Sequence, residues 1–291
     1  MKPFRELNVS KEEALVYITG IAFDKGASLG KGARKAPKVI WKQTTEIPPF
    51  TMDGKSLIDL KLYNNGIYKP KNQEEIKEIA KVLNEDVFNI FIGGDHSMSI
   101  SLEEAFYHKA LKENKIPVIV HIDAHPDFCD FYDGSYMSHA CPNKRSMDLG
   151  YKDFVLIGIR GYEDQEVEFF KKHPEIKIYN ASYILDNGIK DMLEEIKTQY
   201  SDDKYAIYLS YDVDANDPAY ISGTGTPEGF GLHSYDILKI IQYLFKNLNV
   251  EAMDIVETSP KLDDKNKTSC WLVTKTLLEI FNYIIEKRRM K

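Results

Sequence analysis

The sequence predicts an α/β protein with a parallel sheet covered by helices on both faces. Two observations carry this. Short β-rich apolar runs alternate with longer amphipathic stretches at the spacing of strand–helix–strand units. The 291 residues show no repeat, no low-complexity segment and no linker that would divide them, so residues 1–291 read as one domain.

The elements follow in order. "LVYITGIAF" (15–23) reads as a strand, "NQEEIKEIAKVLNE" (72–85) as an amphipathic helix, and "VFNIFIGG" (87–94) as a strand running into glycines. "SISLEEAFYHKALKEN" (99–114) is the next helix and "IPVIVHID" (116–123) the next strand. Then come "FVLIGIR" (154–160, strand), "EDQEVEFFKKH" (163–173, helix), "KIYNA" (177–181, strand) and "GIKDMLEEIKTQ" (188–199, helix). "YAIYLSYDVD" (205–214) and "EAMDIVE" (251–257) read as strands, with the helix "SYDILKIIQYLFKN" (234–247) between them. "SCWLVTKTLLEIFNYIIEKRR" (269–289) closes the chain as a helix, and its basic end suits the negative pole of the helix dipole.

Composition narrows the function. A net charge of −7 argues against a general nucleic-acid surface, which needs a basic face, and is compatible with a cationic substrate. No apolar run approaches the length of a membrane span, and the N-terminal stretch lacks a signal-peptide core. Three cysteines (Cys129, Cys141, Cys270) form neither a disulfide framework nor a zinc motif, so a cytoplasmic setting is expected, with no membrane and no nucleic-acid partner.

Three strands end in Asp or His. On an extended chain, residues i, i+2 and i+4 share a face, so Asp123, His125 and Asp127 of "HIDAHPD" point one way. Asp212 and Asp214 repeat the pattern, and "IFIGGDHS" adds Asp95, His96 and Ser97. The carboxyl edge of an open parallel sheet is where ligands bind. If these ends converge, four aspartates and two histidines meet, and their mutual repulsion calls for divalent cations. Two such ions with a bridging hydroxide leave the site slightly anionic. Carboxylate-rich ligation with some imidazole suits Mn²⁺ better than structural Zn²⁺. Taken singly, each of these residues is more often a cap, a turn residue or a hydrogen-bonded core group, and a D-x-D pair alone is common in loops. The conjunction carries the reading.

At these residues the sequence resembles the ureohydrolase family of arginases, agmatinases and related guanidino- and formimino-hydrolases, and most resembles the agmatinase type. The matching blocks are "GGDHS" (93–97), "DAHPD" (123–127), "SHACP" (138–142), "SYDVDANDPAYISGTGTPEGFGL" (210–232) and "MDIVETSP" (253–260), with the Gly-rich "DKGASLGKGARKAPKVI" (24–40) before them. The resemblance implies a three-layer αβα fold around a mainly parallel eight-stranded sheet, assembled as trimers or hexamers. It implies two Mn²⁺ per subunit, with Co²⁺ or Ni²⁺ as alternatives. His96, Asp123, Asp127 and Asp212 would hold one ion, and Asp123, His125, Asp212 and Asp214 the other. Glu257 would grip the guanidinium beside Thr226, Asp127 would pass a proton to the leaving amine, and His139 would take part in proton transfer. Without the family pattern, His139 would read as a surface histidine and Glu257 as an ion-paired rim residue. Asp95 and Asp254 are expected to anchor the ligands, and His121 to lie packed on the opposite strand face. His108, His173 and His233 read as surface or turn residues.

The substrate is read from the loop between Asp127 and His139. Where arginases place an asparagine for the α-carboxylate stands Cys129, and the loop carries Asp130 and Asp133, with Glu163 following "GIRGY". Acidic residues favour a distal ammonium, so agmatine, hydrolysed to putrescine and urea in polyamine biosynthesis, fits best. Arginine, guanidinobutyrate and formiminoglutamate remain alternatives. Gly229, Phe230, Ser222, Thr258 and Ser259 depart from common family residues, which leaves room for altered specificity. Rival readings are a metallophosphoesterase, which lacks the histidines it would need after His139, and a non-catalytic polyamine-binding homologue.

Overall fold

Among the described residues, eight strands form one sheet in the order β2-β1-β3-β8-β7-β4-β5-β6, each pair parallel. The strands are β1 (Val16–Ile21), β2 (Leu62–Tyr68), β3 (Phe88–Ile92), β4 (Ile116–Ile122), β5 (Asp153–Ile159), β6 (Lys177–Asn180), β7 (Tyr205–Asp212) and β8 (Val250–Val256). The structure is a computed structural model and describes residues 3–290.

Because parallel strands are covered on both faces, their residues are apolar on both faces too. In β4, Val118, Val120 and Ile122 pack to one side and Ile119 to the other. The first side is covered by α1 (Ala36–Gln43), α6 (Ala181–Asn187), α7 (Lys190–Tyr200), α8 (Ser234–Asn247) and α9 (Thr268–Met290), which share one apolar core with β4. The second side carries α2 (Gln73–Ala80), α3 (Ser99–Lys112), α4 (Pro142–Leu149) and α5 (Asp164–Phe170). The result is the expected three-layer arrangement. Among the described residues no helix is long and apolar enough to cross a membrane.

Pattern reading found seven of the strands and missed β2. Its sequence, LYNNGIY, sets two asparagines and a glycine where β-branched residues are expected, and as the edge strand it is only partly buried. The short helices α1, α4 and α6 were also missed, since seven or eight residues give little periodicity to read.

Register positions the site. Ile122 pairs with Tyr211, Asp212 with Val256, and Ile92 with Ile255. Asp123, Asp212, Glu257 and the GGDH turn therefore leave four neighbouring strands, β4, β7, β8 and β3, at one level of the carboxyl edge.

Candidate metal centre

The six aspartates and histidines expected as ligands meet at this edge. His96 Nδ1 lies 3.1 Å from Asp123 Oδ2, 2.9 Å from Asp127 Oδ2 and 3.3 Å from Asp212 Oδ2. His125 Nδ1 lies 3.5 Å from Asp123 Oδ1 and 3.3 Å from Asp214 Oδ2. Asp123 thus presents Oδ2 to His96 and Oδ1 to His125, and stands between the two halves of the cluster. The second oxygen of Asp212 accepts the Asp214 amide at 2.8 Å. Asp127 is held with φ 55°, a left-handed conformation unusual outside glycine.

The chemistry of this cage calls for a cation. Ser210 Oγ donates to Asp254 Oδ1 at 2.8 Å, so at 2.8 Å from His96 Nε2 it acts as acceptor and fixes the proton on Nε2. Asp254 also accepts from Tyr208 and Ser99. The other His96 nitrogen, Nδ1, is buried without a hydrogen-bond partner, and so is Asp123 Oδ2. A bare lone pair facing three carboxylates is unfavourable unless a positive charge sits among them. The protons respond accordingly: burial, Asp214 and Asp123 push the Asp212 carboxyl well up. His96 is held well above its usual range although burial opposes it, chiefly by Asp127. Oxygen and imidazole donors of this kind fit divalent metals such as Mn²⁺.

His121 corrects an expectation. It shares parity with Asp123, and its Nε2 lies 3.0 Å from Asp123 Oδ2 and 3.0 Å from the His125 carbonyl oxygen. Its ring stacks on His96 at 4.9 Å, so it belongs to the cage wall rather than to the opposite face. The period-two rule that aligned Asp123, His125 and Asp127 includes position 121 as well.

Beside the cage, Glu257 is buried with φ 61°. Its Oε1 accepts the His96 amide at 2.8 Å and lies 3.5 Å from His139 Nδ1. Burial opposes charge on His139, but Glu257 outweighs it and raises the imidazole to about 9. Thr226 Oγ1 donates to Asp214 Oδ2 at 3.1 Å. Asp95 accepts the Gly26 and Ala27 amides, so it holds the Gly-rich loop and not a cage residue, whereas Asp254 reaches His96 through Ser210 as expected of an anchor.

A cavity of about 270 Å³ opens above these residues. Glu163 lines it; Asp130 does not, because its carboxylate is held by Arg145 at 2.5 Å on an exposed flank. The cavity also takes in Tyr132, Glu166 and Glu228, which sequence reading did not single out. Glu166 is buried, accepts the Phe128 amide at 2.8 Å and the Glu163 amide at 3.0 Å, and is raised by burial to about 7. The acid-x-x-acid spacing of "EDQE" was the available signal, since it is the pattern of a capping box, which Glu163 and Glu166 form. Phe230, two residues past Glu228, is 87% exposed, whereas Thr258 and Ser259 are buried.

A parallel sheet with a carboxylate–imidazole cage at its carboxyl edge, beside buried Glu257 and the partly exposed His139, makes a site suited to divalent metal and proton transfer. Residues 14–282 match the arginase family profile, and the chain belongs to the arginase family. It is 31% identical over 285 residues to the mitochondrial agmatinase of Gallus gallus, covering 90% of this chain and 79% of the relative. The agmatinase of an Enterobacter species is 29% identical over 275 residues, covering 89% and 84%. The crystal structure of agmatine ureohydrolase from Thermoplasma volcanium superposes with a TM-score of 0.87 at 27% identity, covering 100% of this chain and 96% of that one.

Proposed function

We propose that the chain hydrolyses a guanidino compound bearing a second cation, best agmatine, to urea and a diamine. The observation that supports this most directly is the charge of the cavity wall. Outside the cage residues, Glu163, Glu166 and Glu228 line it, and no lysine or arginine does so among the described residues. Such a wall concentrates a dication and disfavours a substrate carboxylate.

In this reading His96, Asp123, His125, Asp127, Asp212 and Asp214 hold two Mn²⁺ ions. When bound, such metals supply Lewis acidity and lower the pKa of water. Glu257 grips the guanidinium through charge-assisted hydrogen bonds, its second oxygen being free of the His96 amide, and Thr226 stands nearby through Asp214. Asp127 passes a proton to the leaving amine. His139, poised on Glu257, carries protons between the pocket and the outside. Glu163 and Glu228 receive the distal ammonium; Asp130, tied to Arg145, is left out of this set. The resemblance further supports one ureohydrolase domain, a homotrimer or homohexamer, and a cytoplasmic place in polyamine synthesis.

The test is urea release by metal-stripped protein after Mn²⁺ is restored, with agmatine, arginine and 4-guanidinobutyrate at equal concentration. Urea from agmatine in clear preference is expected. Preference for a carboxylate-bearing substrate would overturn the reading of the acidic wall, and no urea from any of them would overturn the hydrolysis itself.

A further inference from the structure

Loop 24–32 supplies none of the cage residues, yet it is built into the wall of the pocket. Asp95, fully buried and adjacent to His96, accepts the Gly26 amide at 2.8 Å and the Ala27 amide at 2.9 Å. Gly26 in turn offers its carbonyl to the His139 amide at 3.1 Å. Close approach explains the glycines: a side chain at Gly26 would collide with Ser97, and one at Gly30 would meet the Gly225 backbone at 2.6 Å. The loop therefore lies in one place, and that place sets Ser28 Oγ 2.8 Å from His139 Nε2.

An imidazole has two nitrogens, and both are now accounted for. Nδ1 faces Glu257 at 3.5 Å and Nε2 faces Ser28. With only the glutamate contact and the Tyr132 ring edge-on at 6.1 Å, a single long polar contact does not set the imidazole's plane. Two contacts on opposite sides do. We propose that Ser28 is a positioning residue for His139, holding the ring through Nε2 so that Nδ1 stays directed at Glu257 and the pocket. The Gly-rich segment is then part of the proton-transfer apparatus and not only a spacer before α1. This rests on the reading of His139 as a proton carrier in amidine hydrolysis.

The experiment compares Ser28→Ala and Ser28→Thr in two ways. The first is kcat and KM for agmatine with the Mn²⁺-loaded enzyme. The second is ¹⁵N NMR of the histidine rings in metal-free protein, where the chain has seven histidines and His139→Asn identifies the signal wanted. General acid–base groups contribute roughly a hundredfold or more, and misplacing one forfeits part of that. Ser28→Ala is expected to lower kcat about tenfold, leave KM within about twofold, and move the His139 ring-nitrogen signals. Ser28→Thr, which keeps the hydroxyl, is expected to preserve both. An unmoved His139 signal in Ser28→Ala overturns the proposal, as does a threonine variant that loses kcat as fully as the alanine one. If His139→Asn turns over agmatine at the wild-type rate, the proton-carrier reading fails by itself, and the NMR shift still decides whether Ser28 holds the ring.

Discussion

Replacing Ser210 by alanine probes the cage from behind. Ser210 is fully buried and lies 2.8 Å from both His96 Nε2 and Asp254 Oδ1. In the variant Asp254 keeps Tyr208 and Ser99 on Oδ2 but loses the Ser210 donor on Oδ1, a cost met with or without metal, and the Nε2 proton of His96 loses its acceptor. A buried donor left unmet costs about 1–3 kcal/mol. Without metal, His96 escapes that cost by giving up its Nε2 proton and keeping one on Nδ1, where three carboxylates within 3.3 Å accept it. A metal ligand has no such escape, since Nδ1 must be bare. The cost at His96 therefore falls on the bound state alone and emerges as weaker metal binding. Loss of an outer partner of this kind typically weakens a metal site about 10- to 100-fold, or about 1.4–2.7 kcal/mol, which agrees with the unmet-donor range. The assay is Mn²⁺ titration against a chelating indicator, with thermal unfolding in chelator run alongside. We expect at least about a tenfold rise in the dissociation constant, beside a loss of about 1–3 kcal/mol in metal-free stability from the unmet Asp254 Oδ1. A dissociation constant within about twofold of wild type refutes the assigned tautomer and the cation it points to.

Three further outcomes are expected. Glu163→Gln and Glu228→Gln should each raise KM for agmatine several-fold with kcat kept, and because Glu228 is 45% exposed its effect should fade at high salt; equal losses for a guanidino substrate without a second amine would contradict the assignment. His139 is raised to about 9, above its ordinary range, by Glu257 acting against burial. The stability it contributes is therefore complete below about pH 6.5 and lost as pH climbs through about 9, at most about 3 kcal/mol. In metal-free urea denaturation the gap between wild type and His139→Asn should close over that interval, and a constant gap would deny it. Phe106→Ala removes a fully buried ring packed 5.3 Å from Tyr208 and should cost about 3–5 kcal/mol, read from the unfolding midpoint.

The alternation of β4, β7 and β8 with helices was legible because parallel strands buried on two faces leave dense apolar runs. The cage was legible because each donor follows its strand within a few residues, so the sequence position of Asp123 or Asp212 nearly fixes its place in space. The pocket wall was harder. Asp130 looked like a substrate residue by loop position, but Arg145, fifteen residues on and carried by α4, turns it away, and α4 itself was not seen. Glu228 and Ser28 stand on loops whose course depends on glycine contacts with other loops, such as Gly30 against Gly225. No local periodicity encodes such contacts. His121 is a different matter, since the parity that aligned its neighbours already placed it.

Asp127 and Glu257 both carry side chains on a left-handed backbone. Such positions cost about 1–3 kcal/mol for residues other than glycine. At Glu257 the His96 amide and His139 that the carboxylate holds offset that cost, so the fold itself retains the acid. Selection that rewards thermal endurance alone, with metal and substrate withheld, would therefore push Asp127 toward glycine. A survey of stabilised variants should find this site among the first to erode. Conversely, a population that keeps an acid there at the expense of ruggedness records that the chain is still under pressure to turn over its substrate. The backbone at Asp127 thus serves as a gauge of whether an arginase-family descendant remains an enzyme.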